Sequence, residues 1–81
     1  MTLYVTYLPA TALPDDLVRL FARYGQVAGA EIWVGRNGDI GLVAGVIDMP
    51  AGGDAAIAAV NGRKFWGREL TVGDSRPWDP T

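Results

Sequence analysis

Apolar and polar residues alternate along Leu3-Tyr4-Val5-Thr6-Tyr7, the two-residue period of a strand that buries one face. Leu3 and Val5 then point to one side, Tyr4 and Thr6 to the other. After the loop Leu8-Pro9-Ala10-Thr11-Ala12 the period changes. Leu17, Leu20, Phe21 and Tyr24 recur at helical spacing and form one apolar face. Pro14 suits the first turn of that helix, and Asp15 and Asp16 sit at the positive end of its dipole. Leu13 is a poor cap before it, and Gly25 is its natural stop. Residues 27–34 predict a second strand, with Val27, Ala30 and Ile32 inward and Glu31 and Trp33 outward. Gly35-Arg36-Asn37-Gly38-Asp39 reads as the turn that follows, since Asn-Gly is a hairpin signal. Residues 42–49 predict a third strand, with Val43, Gly45 and Ile47 toward the core and Ala44, Val46 and Asp48 opposite. Pro50-Ala51-Gly52-Gly53 breaks the chain. Residues 54–60 then form an alanine-rich helix on Ala56, Ile57 and Val60, ended by Asn61-Gly62. Phe65 is expected to plug the core. Gly67-Arg68-Glu69 leads into a last strand with Leu70 and Val72 inward.

The order is βαββαβ, which predicts an α+β, ferredoxin-like sandwich. One four-stranded antiparallel sheet carries two helices on one face and leaves the other open. The expected domain is residues 1–75, with 76–81 a short, proline-rich tail. A chain of 81 residues is one domain with a thin core.

Composition narrows the chemistry. Cysteine and histidine are both absent, which removes thiolate chemistry, zinc-thiolate sites and the commonest general base. Asp15 and Asp16 are adjacent, so on a helix they diverge, and no carboxylates cluster for catalysis. A non-catalytic binding module without cofactor or metal is therefore expected. No apolar run is long enough to span a bilayer and no signal sequence is visible, so the expected location is the cytoplasm. Arginine greatly outnumbers lysine and alanine is abundant, a composition that suits a GC-rich bacterial genome. The net charge is −2, and the seven basic residues are spread thinly. Phosphate affinity is correspondingly limited.

Several segments resemble one family. Leu3-Tyr4-Val5-Thr6-Tyr7-Leu8 and Leu42-Val43-Ala44-Gly45-Val46-Ile47-Asp48-Met49 stand where an RNA recognition motif domain has its hexamer and octamer. Leu17 with Leu20-Phe21-Ala22-Arg23-Tyr24-Gly25 is similar to its first helix and exit. Ala56-Ile57-Ala58-Ala59-Val60-Asn61-Gly62 is similar to its second helix. Gly67-Arg68-Glu69-Leu70-Thr71-Val72 resembles its fourth strand, and Arg76-Pro77 its close. The likeness spans residues 2–77. It implies single-stranded RNA bound on the open sheet face, where aromatic side chains stack on bases. By position, Tyr4 is the hexamer platform. The octamer departs from the family pattern. Leu42 replaces the basic residue, Ala44 and Val46 replace the stacking aromatics, and Tyr7 stands where asparagine is frequent.

Two readings follow. In the first, the domain binds single-stranded RNA weakly or atypically. Tyr4 and Trp33, on the neighbouring second strand, would stack over the apolar floor of Val46. Thr6 would meet a base edge, and Arg36 and Arg76 would meet the backbone. In the second, the same scaffold is a protein-interaction module, homodimerising through the apolar face; the acidic balance, Ala44, Val46 and three tryptophans motivate it. Tyr4 also fits a plain cross-strand packing role, and a one-residue slip would turn Trp33 inward. Trp66 is expected to pack at the core edge, with an exposed partner anchor as the alternative. Trp78 belongs to the tail.

Overall fold

The structure is a computed structural model and describes residues 1–9, 11–34 and 43–74. Strand β1 (Thr2–Thr6) leads to helix α1 (Pro14–Phe21), then β2 (Gly29–Val34) and β3 (Val43–Asp48). Helix α2 (Gly53–Val60) follows, then β4 (Lys64–Phe65), β5 (Arg68–Glu69) and β6 (Thr71–Gly73). The main sheet is four-stranded and antiparallel in the order β2-β3-β1-β6, so the hexamer and octamer strands lie side by side at its centre. This is the ferredoxin-like arrangement the hydrophobic pattern predicts.

The alternation of β1 and β3 decides which side is the core. Leu3, Val5, Ile47 and Val72 are buried with Leu17, Leu20 and Phe21 of α1 and Ala56 and Val60 of α2. Ala30 and Ile32 of β2 pack against the same cluster, and Phe65 does so while only half buried. Gly45 sets the closeness of α1 to the sheet. A Cβ there would stand 2.6 Å from Leu17 Cδ1 and 3.2 Å from Leu8 Cδ1.

Helix α1 starts where proline and the acids predict, but its cap is half made. Leu13 has the extended backbone of a cap, and its N–H donates to Asp16 Oδ2 at 2.9 Å. The reciprocal bond needs a side-chain acceptor at position 13, where 61% of a leucine is exposed instead. Leu13→Ser is therefore expected to stabilise the domain by about 1 kcal/mol. That corresponds to a rise of roughly 4–8 °C in Tm, and an unchanged thermal melt would refute it.

At one end of the domain the backbone closes on itself. The Met1 ammonium donates to the Met49 carbonyl at 3.0 Å, and the Met49 N–H donates back to Met1 at 2.8 Å. Beside them the exit of α1 meets the entry to α2. A Cβ on Gly25 would lie 2.2 Å from the Ala51 carbonyl oxygen, and one on Gly52 would lie 2.0 Å from that of Tyr24. Gly52 also adopts φ +84°, which a side chain resists.

The hairpin of β4 and β5 departs from the sequence expectation of a simple lead-in to the last strand. Lys64 pairs with Glu69 and Phe65 with Arg68. Trp66 and Gly67, at φ 54° and 76°, supply the two positive dihedrals that a two-residue primed turn requires. The Leu70 N–H donates to the Arg63 carbonyl at 3.0 Å, and the Gly62 N–H to that of Leu70 at 2.8 Å, which ties the hairpin to the end of α2. Asn61 Oδ1 accepts from the Val72 N–H at 3.0 Å and joins the same region to β6.

Candidate nucleic-acid interface

The pleat that buries Leu3 and Val5 turns Tyr4 and Thr6 to the face away from the helices. Cross-strand register builds the rest. Glu31 pairs with Val46, Val46 with Tyr4, and Tyr4 with Gly73, so one row crosses all four strands. Tyr4 and Val46 are half buried and sit at its centre. One step along, Trp33 pairs with Ala44, and Thr6 pairs with Thr71. Trp33 is 53% exposed on this face, so the expected register holds.

Three details change the picture. Strand β3 lies between Tyr4 and Trp33, so the two rings are not on adjacent strands. They are offset by two strand spacings, about 10 Å, and by a further ~7 Å along the sheet. Thr6 is only 4% exposed and Ala44 only 2%, so that part of the face offers little surface to a base edge. The indole is also oriented: Trp33 Nε1 donates to Glu31 Oε2 at 3.1 Å. Glu31 and the exposed Asp48 make this face acidic at its β2–β3 side, which opposes phosphate. Arg36, Arg76 and Trp78, along with Leu42 and the predicted turn at 35–39, lie outside the described residues.

Two further aromatics are exposed, of which only Trp66 had an exposed reading in the sequence. Tyr7 is 52% exposed at φ 70°, and Trp66 is 46% exposed at φ 54°. Trp66 makes the core-edge contact expected of it, its ring meeting Phe65 at a centroid distance of 6.1 Å, and still leaves 46% of its surface exposed. A left-handed backbone costs a bulky L-residue roughly 1–2 kcal/mol. Asparagine tolerates that conformation, so the family's asparagine at this position is a signal that could have revealed the backbone here.

The face away from the helices thus carries Tyr4 and Trp33 as its strand aromatics, with Val46 and Ala44 between them. A family model described as RNA recognition motif matches residues 3–71, and the chain belongs to that family. Among its relatives is a protein of the bacterium Nostoc sp., provisionally named RNA-binding protein RbpE. It is 35% identical, over 95% of this chain and 80% of its own length. The crystal structure of RNA Binding Protein PG1 superposes with a TM-score of 0.79 at 29% identity, covering 95% of this chain and 98% of that one. The Sxl-lethal protein in its RNA complex superposes with a TM-score of 0.67 at 32% identity, covering 89% of this chain and 46% of that one. No helix among the described residues is long and apolar enough to cross a membrane.

Proposed function

We propose that this domain binds single-stranded RNA on its sheet face, weakly and through fewer stacking contacts than its family pattern supplies, and that it does no chemistry on the strand. One observation carries the reading: Tyr4, the hexamer aromatic, is partly exposed at the centre of the sheet beside the apolar Val46. The RNA-binding name of the Nostoc relative and the RNA complex of the Sxl-lethal protein support it. One base stacks on Tyr4 and leans on Val46, and a second uses the indole of Trp33. Arg36 and Arg76 supply the phosphate contacts, and Thr6 contributes at most its edge. Each absent aromatic removes ~1–3 kcal/mol of stacking, so low affinity is the natural outcome.

Titration of isotope-labelled protein with short single-stranded RNA pools tests this directly. The amide resonances of Tyr4, Trp33 and Val46 are expected to move together. If they stay in place at millimolar RNA, the sheet face is not the binding surface. Raising the salt is expected to weaken the complex, because phosphate contacts release counterions.

A further inference from the structure

We propose that the β4–β5 hairpin is a second RNA contact, with the Trp66 indole stacking on a nucleotide beyond those held by the sheet and Arg63, Lys64 and Arg68 meeting its phosphates. The inference rests on the sheet-face reading above. Arg63, Lys64 and Arg68 are all exposed within this short hairpin, and Glu69 offsets one of their charges. The other described side-chain cations, Arg19 and Arg23, belong to α1 and the turn after it. Positive charge among the described residues is therefore densest beside an exposed indole, while the sheet face carries Glu31 and Asp48. An aromatic face among cations is the chemistry of single-strand binding. A protein-interface core is instead depleted of charge.

The backbone argues the same way. Among the described residues, the non-glycine positions with positive φ are Tyr7 and Trp66, both aromatic and both about half exposed. Glycine or asparagine would make the turn at 66 without strain. Tryptophan there adds strain and leaves 46% of its surface wet, against one ring contact with Phe65. Strain of this kind, once observed, points to use.

The placement suits one continuous strand of RNA. Leu70 joins the hairpin to β6, whose Thr71 pairs with Thr6, and Tyr7 follows directly. The hairpin is thus attached at the end of the sheet where β1 finishes. RNA leaving Tyr4 along β1 would run toward the end of the sheet that carries Tyr7 and the hairpin.

Trp66→Gly is the decisive variant, because glycine accepts the turn, and a thermal melt checks that the fold survives loss of the Phe65 contact. Anisotropy titrations would use dye-labelled oligouridine, as a tetranucleotide that fills only the sheet and as a dodecanucleotide that reaches the hairpin. Trp66→Gly is expected to weaken the dodecanucleotide about 5- to 150-fold and leave the tetranucleotide unchanged. Tyr4→Ala should weaken both. Lys64→Ala should flatten the salt dependence of the dodecanucleotide by about 0.7 in log–log slope. If Trp66→Gly binds both oligonucleotides as the parent does, or loses both equally, the hairpin is no separate RNA contact, and the sheet-face reading stands on Tyr4→Ala alone. If the parent binds neither oligonucleotide, or Tyr4→Ala costs nothing on the tetranucleotide, the sheet-face reading falls and takes the hairpin with it.

Discussion

Val46→Phe is expected to tighten single-stranded RNA binding by roughly 5- to 150-fold, the ~1–3 kcal/mol of one added stacking platform. Val46 is the register partner of Tyr4, is half buried, and faces away from the helices. A phenylalanine there lies beside the tyrosine ring without entering the core, and aromatic residues suit a strand. The stability change should stay within about 0.5 kcal/mol, as for most surface substitutions. Ala44 provides the contrast. It is also an octamer position, but it is 2% exposed, so Ala44→Phe is expected to overpack the site and cost about 1–3 kcal/mol of stability. Anisotropy titration of both variants, alongside thermal melts, checks the pair. A Val46→Phe protein that folds normally and binds no tighter would show that bases do not stack on this row.

Gly52→Ala is expected to destabilise the domain by about 2–5 kcal/mol. Two penalties combine. The left-handed backbone at φ +84° costs a Cβ-bearing residue roughly 1–2 kcal/mol. The new Cβ would also stand 2.0 Å from the carbonyl oxygen of Tyr24, a backbone atom with nowhere to go, and overpacking of this kind costs roughly 1–3 kcal/mol. Against a total stability of ~5–15 kcal/mol the loss is large. Urea unfolding should show a lower midpoint at an unchanged slope. A midpoint equal to the parent's would mean that the two loops do not meet as described.

Much of this was readable from the chain, for a physical reason. Burial on one side of a strand imposes a period of two, so Leu3, Val5, Val43 and Ile47 declared the core face, and Tyr4, Val46 and Trp33 the other. Helix spacing did the same for Leu17, Leu20 and Phe21. Strand order is not a local property, so the insertion of β3 between Tyr4 and Trp33 needed the fold. The burial of Thr6 and Ala44 is likewise a three-dimensional fact; alternation names a face and not its exposure. The β4–β5 hairpin was missed because two-residue strands are too short to show a period, and because tryptophan is not a turn residue. The approach of Gly25 and Gly52 joins segments far apart in sequence. The phosphate-contact roles of Arg36 and Arg76 fall outside the described residues and stand as proposals.

The methionine pairing and the glycine contacts bind one end of this domain, while Tyr7 and Trp66 stand at the other. Slow amide exchange should therefore concentrate around Met49 and fade toward the aromatic end, because a closed backbone must open before its protons leave. Substitutions at Tyr7 and Trp66 lie a sheet length from the Met1–Met49 pairing and leave that closure intact.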